Sequence, residues 1–187
     1  PLIQLPLEKG TNPCAADSDS DGLTDSDEVA LGLKPMSSRS DGETPDAQRT
    51  FTQDLKTEQI DERLTAAGST AQPSLTLTTT GNINSRVTIT PADSYQFSDS
   101  RALVGEAVTL RGGSLGEGTV SFRLSEPSGT TEANLICKFN EDGTTEYLDT
   151  SYDADTRTVS APVSQEGTYF VLDAAALLDE MGLELPH

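Results

Sequence analysis

The residues best suited to chemistry in this sequence lie in one acidic stretch, residues 17–28, which reads DSDSDGLTDSDE. Five of its six carboxylates follow one pattern, first alternating with serines and then standing at wider spacing: Asp17, Asp19, Asp21, Asp25 and Glu28. A calcium ion takes six to eight oxygen ligands at about 2.3–2.6 Å, so a short loop must turn all of its oxygens inward. Alternate spacing provides the first three carboxylates, and Gly22 permits the sharp turn that follows them.

These spacings match calcium loops of the EF-hand type, in which loop positions 1, 3, 5, 7, 9 and 12 supply the ligands. The sequence therefore predicts Ca²⁺ as cofactor, bound by Asp17, Asp19, Asp21, the backbone carbonyl of Leu23, Asp25 and Glu28. The alternative is an acidic, serine-rich linker that never folds, because charge runs are often solvated chain. The apolar residues at 29–33 favour the calcium loop, because they suit a helix that leaves it.

A second acidic stretch, SSRSDGETPDAQR at residues 37–49, looks like a degenerate copy of the first. Asp41, Glu43 and Asp46 are candidate ligands of a weak second site or of a site shared with the first loop, whereas Arg39 stands where a carboxylate is expected. The alternative is a turn-rich linker between the two parts of the chain.

The segment NPCAADSDSDGLTDSDEVALGLKP, residues 12–35, resembles a thrombospondin type 3 repeat of the bacterial kind. Such repeats are acidic calcium loops joined by short Asn-Pro connectors, and they occur in secreted and cell-surface proteins. The resemblance implies the ligand roles already given and an extracellular or cell-surface location. A cellulosomal dockerin uses similar loops, but it requires two good copies.

Composition narrows the choice of partners. The formal net charge of −19 disfavours nucleic acid and anionic membranes. No run of 18 apolar residues is present, so we expect no membrane insertion. The first ten residues lack the features of a signal peptide, which predicts a mature or excised segment of a larger parent chain.

Cys14 and Cys137 are either one disulfide or two unrelated thiols.

The sequence does not predict an enzyme. Its one histidine, His187, is the last residue, which removes the His-dependent nucleophilic triads and zinc sites. The GGSLG around Ser114 matches a nucleophile elbow only formally. Acidic pairs in predicted turns, with no tryptophan in the chain, do not resemble a glycosidase cleft.

The elements around the acidic stretch predict a mainly β protein, an antiparallel β-sandwich preceded by the calcium loop and a short helix. Residues 50–68 are the best helical candidate, with Leu55, Ile60 and Leu64 as a loose apolar stripe. From residue 74 onward eight short runs alternate in polarity, with turn signals at 80–82, 112–113, 127–129, 142–143, 153–155 and 166–167. A further helix is expected near residues 173–185. The predicted units are 1–49, a calcium segment; 50–69, a helical linker; and 70–187, the sandwich with its terminal helix.

The β region, from RALVGEAVTLRG to GTYFVLD, resembles sandwich modules of bacterial surface proteins that often precede a von Willebrand factor A domain. It is also similar to autoproteolytic sandwiches that cut at a His-Phe-Ser step. Residues 163–167 read VSQEG at that place, so this resemblance implies the fold and not the chemistry.

The predicted function is a non-catalytic calcium-binding structural or adhesion module of a secreted or cell-surface bacterial protein. The alternative is a carbohydrate- or protein-binding accessory module of a larger extracellular enzyme. Sugar binding usually needs exposed aromatic side chains, and the candidates are Tyr95, Phe97, Tyr147, Tyr152 and Tyr169. A protein or glycan partner is expected in either case.

Overall fold

The computed structural model describes residues 15–80, 87–93, 99–125 and 134–183. Three α-helices lie in these ranges: α1 Asp25–Leu31, α2 Glu62–Thr65 and α3 Ala174–Glu180. Two 3₁₀ turns cover Asp46–Gln48 and Thr57–Gln59. The strands are β1 Thr50–Asp54, β2 Ala71–Thr80, β3 Thr88–Pro91, β4 Leu103–Leu124, β5 Asn134–Phe139, β6 Thr145–Tyr147, β7 Ser151–Asp153 and β8 Thr158–Asp173.

The strands form one antiparallel sheet in the order β1-β2-β4-β8-β5-β6, with β3 added to β4 and β7 added to β8. The prediction of a mainly β, antiparallel fold is therefore confirmed. The regular alternation of apolar and polar residues explains the pairing, since it gives each strand one face to bury.

Two of the strands are much longer than the sequence predicted. The turn signals at 112–113 and 166–167 lie inside β4 and β8. Two predicted strands are therefore continuous in β4, and two more are continuous in β8. The β4–β8 register shifts three times, and Gly113 adopts a left-handed φ of 69° in the second shift. The Glu166 carboxylate accepts hydrogen bonds from the amides of Gly112 and Gly113 at 3.3 and 3.0 Å. The glycines thus serve bulges that bend a continuous strand.

The principal core receives apolar side chains from both ends of the long strands and from β2, β3 and β5. Its largest fully buried members include Tyr169, Phe122, Leu75, Leu77 and Leu110. A smaller cluster lies around Phe170, Leu172 and Cys137, where Leu177 of α3 packs against it. Helix α3 begins where Asp173 accepts hydrogen bonds from two helix amides at 2.9 and 3.0 Å, which satisfies the free end of the helix. The expected C-terminal helix is confirmed over Ala174–Glu180.

The prediction of a helix over residues 50–68 is wrong for most of its length. Residues Thr50–Asp54 form β1, which pairs with β2, and only Glu62–Thr65 is α-helical. Residues 50–54 form a strand because Thr-Phe-Thr alternates in polarity and β2 offers an edge for pairing. The apolar residues Leu55, Ile60 and Leu64 are buried as predicted, but they reach the core from a strand end, a 3₁₀ cap and a single helical turn.

Several sequence predictions fall on residues outside the described ranges: Cys14, Gly81, Asn82, Tyr95, Phe97, Pro127, Gly129 and His187. Within the described ranges, the Asp142-Gly143 turn joins β5 to β6, as predicted. Among those same residues, no helix has the length and apolarity needed to span a membrane.

Candidate metal site

The first acidic stretch closes into a loop at the start of α1. The Asp25 amide donates to the Ala16 carbonyl at 2.8 Å, and its carboxylate accepts from the Ser18 amide and hydroxyl at 2.7 and 2.6 Å. Thr24 caps the helix by accepting from the Asp27 amide at 3.2 Å. Helix α1 ends at Leu31 and is capped by Gly32, whose φ of 76° is the left-handed cap conformation, so the predicted exit helix is confirmed.

Three carboxylates converge inside this loop. Ligand atoms of Asp17, Asp19 and Asp21 lie within 4.8 Å of one another. Loop amides donate to all three side chains: Gly22 to Asp17 at 3.0 Å, Asp21 to Asp19 at 3.3 Å, and Leu23 to Asp21 at 2.8 Å. Gly22 has a φ of +99°, which other residues rarely adopt, so the predicted sharp turn depends on glycine there.

A second group of three carboxylates adjoins the first and shares Asp21 with it. Ligand atoms of Asp21, Glu28 and Asp46 also lie within 4.8 Å of one another. Glu28 and Asp46 are both 0% exposed, and neither oxygen of the Glu28 carboxylate has a hydrogen-bond partner. One buried oxygen each of Asp19 and Asp21 is likewise without a partner. Buried carboxylate oxygens are costly unless something positive or hydrogen-bonding faces them.

The electrostatics of Glu28 reflect this crowding. Burial, the largest cause, and the negative charges of Asp19, Asp21, Asp25 and Asp46 together raise the pKa of Glu28 from 4.5 to about 8. Burial and the neighbouring Asp21 likewise raise the pKa of Asp19. Without a cation, Glu28 therefore holds at neutral pH a proton that a free carboxyl would have lost.

The donor set fits a hard divalent cation. The acidic side chains that converge here offer carboxylate oxygens, and oxygen donors of this kind suit Ca²⁺ and Mg²⁺ rather than the softer transition metals. The unpartnered oxygens of Glu28, together with one each from Asp19 and Asp21, provide free lone pairs for such an ion. These residues could therefore hold a divalent metal ion.

The structure brings together four of the predicted carboxylates: Asp17, Asp19, Asp21 and Glu28. Asp25 lies in neither group. Its two oxygens accept hydrogen bonds from Ser18, which close the loop. The side chain of Leu23 is 1% exposed, which fixes the backbone that follows Gly22.

The structure places Asp46, a residue of the second acidic stretch, in this cluster. The sequence offers Asp41, Glu43 and Asp46 as ligands of a second or shared metal site, with a turn-rich linker as the alternative. Of these three residues, the structure places Asp46 beside Asp21 and Glu28. Asp41 instead accepts from the Glu43 and Thr44 amides, each at 2.9 Å, and hydrogen bonding lowers its pKa. In the described part of the chain, Asp41 and Glu43 join no group of three convergent ligand atoms. A second metal site there stays a prediction.

The remaining candidates take structural places. The backbone of Ser114 pairs with Gln165 inside β4, so the GGSLG motif is not a strand-to-helix turn. Cys137 is a free, buried thiol, and burial raises its pKa to about 12. Tyr169 is buried and donates to the Gln165 carbonyl at 2.7 Å, and Tyr152 packs against the core. Tyr147 is 56% exposed and is the described aromatic candidate best placed to meet a glycan.

Comparisons with protein-family models, curated proteins and solved structures give no match for this chain.

Proposed function

We propose that this chain is a non-catalytic calcium-binding structural or adhesion module of a secreted or cell-surface bacterial protein. The observation that carries the proposal is the Glu28 carboxylate, fully buried, unpartnered and within 4.8 Å of two other carboxylates. The ligands would be Asp17, Asp19, Asp21, Glu28 and Asp46, with the Leu23 carbonyl. Asp25 would act in closing the loop.

The proposed mechanism is metal-coupled ordering. Calcium neutralises clustered carboxylates that otherwise repel one another, so binding energy becomes folding energy for residues 15–35. Extracellular calcium modules often have dissociation constants of about 10⁻⁴–10⁻³ M. A site of that affinity fills outside a cell and empties inside one, which suits a module that stiffens after secretion.

The β domain would serve as spacer or adhesive platform. We propose that the bent strands β4 and β8 fold the sheet into a sandwich, which is supported by the common core shared between both ends of these strands. The resemblance of residues 12–35 to a bacterial thrombospondin type 3 repeat supports the extracellular location.

Calorimetric titration of Ca²⁺ into the chelator-treated chain tests the proposal. We expect saturable binding and a calcium-dependent rise in melting temperature. Glu28→Gln should weaken binding by at least about 10-fold, since even outer-shell changes commonly cost that much. Glu62→Gln, an exposed carboxylate on α2, is the matched control and should bind like the wild type. Absence of heat and of any thermal shift in the wild type would refute the proposal.

A further inference from the structure

The second acidic stretch closes by the same bonds as the first. The Asp46 amide donates to the Ser38 carbonyl at 2.9 Å, and the Asp46 carboxylate accepts from the Ser40 amide at 3.0 Å and the Ser40 hydroxyl at 2.6 Å. Each bond has its counterpart at Asp25 in the first loop. Asp46 therefore corresponds to Asp25. The bond from Asp46 to Ser38 spans one residue fewer than the bond from Asp25 to Ala16, so the second loop is one residue shorter.

Two further features follow the same correspondence. Asp19 accepts from the Asp21 amide at 3.3 Å, and Asp41 accepts from the Glu43 amide at 2.9 Å, two residues on in both cases. A helical turn starts at each closing aspartate: α1 in the first loop and the Asp46–Gln48 turn in the second. The two loops therefore share a backbone plan.

This plan places arginines at the first and last ligand positions of the second loop. Arg39 follows Ser38 as Asp17 follows Ala16, and Arg49 lies three residues after Asp46 as Glu28 lies after Asp25. Arg39 donates to the Glu43 carbonyl within the loop. The Arg49 guanidinium lies 3.4 Å from the Asp46 carboxylate and 3.9 Å from that of Asp41. The second loop thus carries positive charge of its own where the first has carboxylates.

Asp46 faces both loops. Ser40 and Arg49 hold its carboxylate on the side of the second loop. A ligand atom of the same carboxylate lies within 4.8 Å of Asp21 and of the unpartnered Glu28. Since Asp46 is 0% exposed, this orientation is fixed by packing on every side.

We propose that the second loop is a metal-free copy of the first, in which Arg39 and Arg49 replace the cation, and that it presents Asp46 as a ligand to the metal of the first loop. Arg49 is then a positioning residue that acts through Asp46. The part concerning metal rests on the proposed function. The part concerning closure of the second loop does not.

Arg49→Gln tests the positioning role through the sign of its effect. Removing a positive charge beside a calcium site should tighten Ca²⁺ binding if the charge acts only through its field. We expect the opposite, weaker binding with a dissociation constant roughly 10-fold higher, because Asp46 loses a partner that orients it. Arg49→Lys should recover part of the loss. Unchanged or tighter binding by Arg49→Gln would overturn the positioning role.

A double-mutant cycle separates this role from general destabilisation. Asp46→Asn should weaken Ca²⁺ binding, and adding Arg49→Gln to it should change the affinity less than about 2-fold, since both act through one carboxylate. Additive effects would contradict the proposal. Arg63→Gln, at an exposed arginine on α2, is the control and should leave affinity unchanged.

Amide hydrogen exchange in EDTA tests the second loop without any metal. We expect the Ser40 and Asp46 amides to be protected in the wild type and to exchange at least about 10-fold faster in Arg49→Gln, while the Asp25 amide is unaffected. If these amides exchange at the same rate in the wild type and in Arg49→Gln, the proposal that arginine closes the second loop in place of a metal is overturned. A wild type that shows this protection but binds no calcium would refute the proposed function and the ligand role of Asp46 while leaving closure by arginine standing.

Discussion

At the scale of single residues, Glu28 is a fully buried carboxylate with other acidic groups around it. Its carboxylate is buried on α1, it has no hydrogen-bond partner, and four aspartates lie near enough to raise its pKa. Such a residue destabilises the fold unless a proton or a cation neutralises it. The same property that makes the residue costly without metal makes it a strong ligand with metal.

The pH dependence of stability follows from this pKa. Because the folded state holds the Glu28 proton up to about pH 8 and the unfolded state loses it near pH 4.5, the folded state binds more protons between these values. The free energy of unfolding of the chelator-treated protein should therefore fall as pH rises through this window. Urea unfolding in EDTA at several pH values measures it.

Glu28→Gln provides the control for that measurement, because the amide is neutral at every pH tested. Its stability should decline less across the same window, and it should exceed that of the wild type at pH 8. A wild-type protein whose stability rises between pH 5 and 8 would contradict the assignment.

At the scale of elements, helix α1 is tied to the segment that follows β1. The Lys56 ammonium donates to the Asp27 carboxylate, whose side chain is only 6% exposed. Thr24 also donates to this carboxylate, at 2.7 Å, so Asp27 joins the helix cap to the β region. The first acidic loop is thereby held on the rest of the fold through the helix that provides Glu28.

Lys56→Met should loosen this connection. Removing the ammonium leaves the nearly buried Asp27 charge with fewer partners, and the free energy of unfolding should drop by about 1–2 kcal/mol, discounted for the partial exposure of Lys56. Urea unfolding in saturating calcium measures the change. Arg63→Met, which breaks an exposed ion pair with Asp61, is the matched control and should have no measurable effect. Equal losses in the two variants would argue against a special role for Lys56.

At the scale of the whole molecule, the acidic loops and the sheet depend on different forces. The sheet buries a large apolar core that includes Phe122, Leu75 and Tyr169. The loops depend on carboxylates, caps and a few buried leucines such as Leu23 and Leu33. We therefore expect loss of metal to loosen the loops and to leave the sheet folded.

Asp17→Ala combined with Asp21→Ala should produce this outcome. Limited proteolysis in calcium should show new cuts within residues 15–35, while the sheet and its melting transition persist. Glu141→Ala with Asp155→Ala removes the same charge from exposed turns and is the control. An unchanged digestion pattern within residues 15–35 would show that the loop is not held by these carboxylates.

Much of this organisation can be read from local sequence. The spacing of the acidic loop, its turn at Gly22, the exit helix and its stop at Gly32 are short-range features, and the structure forms the turn and the helix as expected. Alternation of polarity gave the positions of most strands and the Asp142-Gly143 hairpin, because a half-buried strand needs one apolar face. These features depend on neighbours within a few residues.

The tertiary structure decided whatever depends on distant partners. Threonines of 50–54 become a strand because β2 offers an edge, and glycines at 112–113 become bulges because β8 continues alongside them. Asp46 joins Asp21 and Glu28 only when the second loop packs against the first. Sequence spacing lists possible ligands, but packing between segments far apart in sequence decides which carboxylates share a site and which are neutralised by an arginine.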